Sequence, residues 1–268
     1  VRNDMINKHI KTLFPYFPIS LSLNKKIAFT LAESATHVDL SPTKVKYAFT
    51  LAEVLITLGI IGVVAALTIP GLINNYKAQR LRSQFLKSYS TVQQVFKQME
   101  ADDVSLDPNS YNPTEFYRVF ARYLSGASLC HGSAANSPLC PNVQTRDNNL
   151  YKGISNWFLD DGAILLQDGT LLMFENTVRT ANPYIFVTVD LNGIKNPPNM
   201  EGFDVFTFQF QDGILRTMGD NGTRFQGDAH CDLDRVRATR ETNNFGIACA
   251  QKAKEDADYF QKLVKKYK

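Results

Sequence analysis

Residues 47–70 read Tyr-Ala-Phe-Thr-Leu-Ala-Glu-Val-Leu-Ile-Thr-Leu-Gly-Ile-Ile-Gly-Val-Val-Ala-Ala-Leu-Thr-Ile-Pro, and the organisation of the chain follows from them. Val54 to Ile69 carries no charge. At about 1.5 Å per residue this run makes roughly 24 Å of helix, less than a bilayer core; extended back to Phe49 it makes roughly 31 Å and crosses one. The extension takes in one carboxylate, Glu53. A carboxylate at membrane depth costs a few kcal/mol, so its presence implies a function and a partner. Outward from the run, residues 1–48 hold seven Lys/Arg against three acids, and the rest of the chain holds 22 against 23. The net charge of +3 therefore resides in the first 48 residues. Lys44 and Lys46 sit directly before the segment, which places residues 1–48 in the cytoplasm and the body outside it; Lys77, Arg80 and Arg82 on the far side act against that bias.

The wider composition narrows the class. The chain has 268 residues, 44% apolar and 21% charged, which excludes a disordered chain and a multi-span membrane protein. Four cysteines are too few for a disulfide-dense miniprotein. The balanced body shows no basic patch, so no nucleic-acid partner is indicated. A cleaved secretory signal needs a small-x-small site after its apolar run. Here the run ends in Ala65-Ala-Leu-Thr-Ile-Pro70, a poor site of that kind. An uncleaved signal anchor is the other simple reading, and neither explains Glu53.

The stretch from Tyr47 to Pro70 closely resembles the N-terminal processing motif of type IV pilins and type II secretion pseudopilins, over about 25 contiguous residues. The resemblance implies a cut by a prepilin peptidase between Ala48 and Phe49, followed by methylation of the new amine. Glu53 then becomes the fifth residue of the mature chain, where the family carries its assembly glutamate, and Pro70 the twenty-second, where many members carry a helix-kinking proline. Gly59 and Gly62 fall within the membrane helix, where small residues permit close approach. In the family the glutamate of one subunit meets the terminal amine of its neighbour, and pairing reduces the cost of holding either charge in lipid. Two features depart from the family pattern: Ala48 stands where glycine is usual, and the leader is long. Ala28-Phe-Thr-Leu-Ala-Glu33 repeats as Ala48-Phe-Thr-Leu-Ala-Glu53, but the first copy leads into no apolar run and is read as a decoy or duplication remnant, the alternative being a translation start inside this stretch.

Beyond Pro70, Leu72, Ile73, Tyr76, Leu81, Phe85, Tyr89, Val92, Phe96 and Met99 recur at mostly helical spacing, predicting one helix from about Thr50 to Met99, bent near Pro70. A short helix is expected at Thr114–Leu124. From Trp157 the period becomes strand-like. Ala163–Leu166 and Thr170–Phe174 flank Gln167-Asp-Gly169; Tyr184–Leu191 is β-branched and aromatic; Phe203–Gln211 turns at Asp212-Gly213 into Ile214–Met218. Four or five antiparallel strands follow. The stretch Val189–Phe206 also looks like the head sheet of pseudopilin-like proteins. Phe245 to Tyr267 fits a final helix. The expected fold is α+β: a leader (1–48), a transmembrane assembly helix (49–70), its amphipathic continuation (71–100) and a periplasmic head (101–268) built on a small antiparallel sheet with a C-terminal helix.

Four cysteines permit three pairings. The spacing favours the local pairs Cys130–Cys140 and Cys231–Cys249, each closing a small loop worth about 3 kcal/mol; a C-terminal cysteine loop also resembles that of many type IV pilins. Zinc on Cys130-His131, His230-Cys231 and Cys249 is disfavoured by adjacent ligands and the lack of C-x-x-C. Asp190-x-Asn192-Gly193 resembles a fragment of a calcium loop, against a plain turn between strands. No nucleophile elbow, P-loop, zinc-protease or dinucleotide motif is present, and Asp160-Asp161 reads as a turn. The expectation is a structural subunit and not an enzyme, with no cofactor. Its partners would be the peptidase, other pilin or pseudopilin subunits, an inner-membrane assembly platform and the bilayer. It would sit in the bacterial inner membrane before joining a pseudopilus or cell-surface filament. The alternative is a membrane-anchored periplasmic binding or enzymatic domain.

Overall fold

The computed structural model describes residues 50–130, 151–238 and 244–267. The leader with its repeated motif, Ala48, Phe49 and Cys140 lie outside the described residues. The chain divides at Leu51, and the packing described below belongs to the second unit, Ala52–Lys268. The fold is α+β. Helix α1 (Leu51–Ala101) runs through Pro70 as one element. It is followed by a 3-10 turn at Pro108–Ser110, helix α2 (Phe116–Ala121), strands β1 (Ser128–Cys130), β2 (Gly162–Leu165), β3 (Leu171–Thr177), β4 (Tyr184–Asp190), β5 (Val205–Gln211) and β6 (Ile214–Thr217), then helices α3 (Leu233–Ala238), α4 (Cys249–Glu255) and α5 (Tyr259–Lys266). The strands form one antiparallel meander in sequence order.

The hairpins form where turn chemistry allows. Asp212 and Gly213 both take positive φ, 51° and 75°, the backbone that a two-residue connection between right-twisted strands requires. The β5 pattern places Phe206, Phe208 and Phe210 on one face and Thr207 and Gln209 on the other. Their β4 partners are Val189, Val187 and Ile185 on the first face and Thr188 and Phe186 on the second.

The second half of α1 covers the phenylalanine face. Its buried residues are Ala78, Leu81, Phe85, Ser88, Val92, Val95, Phe96 and Met99, mostly three or four apart. Phe85 lies 4.8 Å from Phe206, 5.9 Å from Phe208 and 5.9 Å from Phe260 of α5, mostly edge-on. Phe96 stacks on Phe210 at 3.9 Å and meets Phe120 of α2 at 5.4 Å. The polar face of β4–β5 is buried too, because loops cover it: Phe158 packs on Phe186, and the Arg224 backbone N–H donates to Gln209 Oε1.

Two expectations are corrected, and two short elements were not foreseen. The buried stripe of α1 begins at Ala78; Leu72, Ile73 and Tyr76 are exposed, because the head first reaches the helix near Asn74. The C-terminal helix is interrupted: α4 ends at Asp256, whose extended backbone redirects the chain and whose carboxylate accepts from the Asp258 N–H and Lys262. The break brings Tyr259 under the sheet, where its hydroxyl donates to Gly202 O at 2.6 Å. Strand β1, three residues long, and the one-and-a-half-turn α3 carry too little periodicity to be read from sequence.

Candidate functional site

The first half of α1 is the candidate assembly surface. Every large apolar side chain from Leu51 to Ile73 is exposed, and none of the apolar window is covered by the chain's own fold. The helix is long and apolar enough to cross a membrane. Its polar groups are few and placed by chemistry. Thr57 donates to Val54 O and Thr68 to Val64 O, each at 2.9 Å, so both hydroxyls are satisfied within the helix. Glu53 is the one ionisable residue between Leu51 and Tyr76, and it sits in the first turn, at the positive end of the helix dipole. Among the described residues, nothing beyond the adjacent backbone of the helix lies within 4 Å of a Cβ built at Gly59, Gly62 or Gly71, so these faces are open to another helix.

The remaining residues singled out in the sequence lie in the head. Cys231 and Cys249 are joined, closing a loop of 18 residues that ties α3 to α4. A crosslink of this span stabilises by about 3 kcal/mol through the unfolded chain. Gly202 packs against it: a Cβ there would lie 2.9 Å from Cys249 Sγ. Cys130 is also disulfide-bonded, and its expected partner lies outside the described residues. With both sulfurs of Cys231 and Cys249 in a disulfide, the zinc arrangement loses two ligands.

Asp190 and Asn192 organise the 191–204 loop. Asp190 Oδ1 accepts from the N–H groups of Asn192 and Gly193, at 3.2 and 2.8 Å, and its Oδ2 from the Tyr151 hydroxyl at 2.9 Å. Asp204 accepts from the N–H groups of Met200 and Asn199, and Asn192 Nδ2 reaches it at 3.4 Å. Donors of the chain already engage these oxygens, which is the geometry of a turn and not of an open cation cage. Burial nevertheless raises both carboxyls, Asp190 to about 6 and Asp204 to about 7.

A third acidic group was only half visible in the sequence. Asp160 and Asp161 precede β2, and the β2–β3 register brings Glu175 beside them, with ligand oxygens of all three within 4.8 Å. Asp161 Oδ2 accepts from the Asn176 N–H at 2.7 Å. Burial, followed by the charges of Asp161 and Asp160, raises Glu175 to about 8; burial, with Asp160 adding, raises Asp161 to about 6. A raised carboxyl binds more protons folded than unfolded, so its contribution is present below the ordinary carboxylate value and lost as pH climbs through the raised one. The head should therefore lose stability between about pH 4 and about pH 8. Glu175→Gln should match the parent in melting temperature at the acid end and exceed it at the alkaline end. Parallel pH curves for the two chains would refute the assignment.

No family model, curated protein or solved structure matches this chain.

Proposed function

We propose that the protein is a pilin-like structural subunit, processed by a prepilin peptidase and assembled into a type II secretion pseudopilus or a type IV pilus. One observation carries the reading: the contiguous motif from Tyr47 to Pro70 leads into a helix whose apolar half is left entirely uncovered by its own head. An exposed apolar surface of this extent needs lipid or partner helices, and a processed subunit uses both in turn. In the membrane the helix sits among acyl chains with its head in the periplasm. In the filament the same surface packs on neighbouring copies, Glu53 pairs with the methylated amine of a neighbour's Phe49, and Gly59 and Gly62 admit close contact. The role is mechanical. The protein is the substrate of an enzyme and has no chemistry of its own to perform.

The test is the amino terminus of the mature protein in its native host. N-terminal sequencing should return Phe-Thr-Leu-Ala-Glu with a methylated amine. An intact leader, or a cut after residue 66, would instead establish an anchored or exported domain.

A further inference from the structure

A cleft of about 600 Å³ opens where α1 leaves its exposed apolar half and meets the head. Four cations line it: Lys77 and Arg80 from α1, Lys152 from the segment before β2, and Arg237 from α3. No carboxylate among the described residues lines it. The ion pairs formed among the described residues engage Lys87, Lys97, Lys252, Lys262 and Lys266, and none of the four. Arg237 does feel Asp234, but that carboxylate is already held by Lys266 at 2.5 Å and by the Tyr267 hydroxyl at 2.7 Å. The Arg237 guanidinium lies 5.5 Å from the centre of the Tyr267 ring, on the cleft wall. Four like charges gathered in one hollow repel one another, and an anion relieves that repulsion.

The position of the cleft selects the anion. Apolar exposure on α1 continues through Tyr76, which is 65% exposed and has the amphipathic ring suited to a membrane interface. Counted from Ile73, the last exposed aliphatic residue of a run that covers about 30 Å from Val54, Lys77 and Arg80 lie about 6 and 10.5 Å further along the axis, from where their long side chains reach a headgroup layer roughly 5–8 Å thick. Lys152 and Arg237 are remote in sequence and reach the same level only through the fold of the head. Phe203 and Val264 give the cleft an apolar side as well. We propose that this cleft binds the phosphate of an anionic glycerophospholipid, with the glycerol end of the acyl chains against the apolar side. The proposal requires only that the apolar half of α1 lies in lipid. It stands or falls independently of processing and filament assembly.

The test uses the full chain, taken from nanodiscs of equimolar phosphatidylglycerol and phosphatidylcholine into uncharged detergent, with retained lipid read by native mass spectrometry. One phosphatidylglycerol should be retained, at roughly tenfold or more over phosphatidylcholine. Lys152→Gln/Arg237→Gln should reduce retention roughly tenfold, since each cation at the surface contributes separately. Lys97→Gln/Arg118→Gln changes the net charge equally on residues outside the cleft and should leave retention within about twofold. Lys152→Arg keeps the charge and should keep the lipid; equal melting temperatures would show that the variants fold. Equal losses in the two double variants would reduce the effect to bulk attraction and overturn the proposal. Equal retention of phosphatidylcholine would also overturn it. Displacement by equimolar inorganic phosphate would reassign the cleft to a soluble anion, and displacement by an equimolar acidic peptide would reassign it to a protein partner.

Discussion

Glu53→Ala is expected to yield a chain that enters the membrane and loses its leader yet is missing from the filament. The substitution removes the only ionisable group between Leu51 and Tyr76, so insertion becomes easier by a few kcal/mol. Assembly is affected in the opposite direction. On the proposed reading, a neighbour's terminal amine must leave the aqueous edge, and its attraction to the carboxylate is the one interaction that favours one register of the two helices over sliding. Apolar contacts alone cannot supply that preference, because lipid competes equally well for them. Incorporation into sheared filaments should fall to roughly a tenth or less, while the gel shift that reports leader removal is unchanged. Glu53→Gln separates charge from shape: it should behave like the alanine variant. Filaments carrying either variant at the parental level would sink the assembly role.

The second large effect is on stability. Phe85→Ala should destabilise the head by about 3–5 kcal/mol, because it opens a cavity where α1, the sheet and α5 meet. Phe85 is fully buried and touches Phe206, Phe208 and Phe260, so its loss weakens three elements together. Leu72→Ala, on the same helix but 70% exposed, should change the stability of the head in uncharged detergent by no more than about 0.5 kcal/mol. Urea titration followed by aromatic circular dichroism of the full chain compares the two. Similar losses would mean that the head grips α1 well before Ala78. That boundary matters to the lipid-binding proposal, because the cleft occupies the turn between the uncovered and the covered parts of the helix.

The division between what was readable and what was not follows the range of the interactions. Alternation in Phe203–Gln211 marked a strand, and the structure places β5 at Val205–Gln211. The Asp212-Gly213 turn was legible because positive φ restricts residue choice locally. The heptad-like spacing from Leu81 to Met99 was legible because a helix buries one stripe whatever covers it. By contrast, Leu72, Ile73 and Tyr76 fit the same spacing and are exposed, since the period of a sequence does not reveal where its covering layer ends. The C-terminal pattern likewise gave no sign of the break at Asp256, which arises from the seat of Tyr259 beneath Gly202.

Local chemistry was thus written in the chain itself: an apolar span that reaches bilayer length once the one carboxylate near its start is included, a continuous helix, antiparallel strands and the spacing of Cys231 and Cys249. Each depends on neighbours in sequence, where steric preference and periodicity act directly. Tertiary structure alone decided which groups separated by tens or hundreds of residues share a site. Sheet register brought Glu175 to Asp160 and Asp161, and the packing of loop and helix brought Lys152 and Arg237 to Lys77 and Arg80. Such pairings carry no local signal, because the energy that enforces them is the burial of Phe85, Phe96 and the sheet behind them, and not any preference of the residues that end up together.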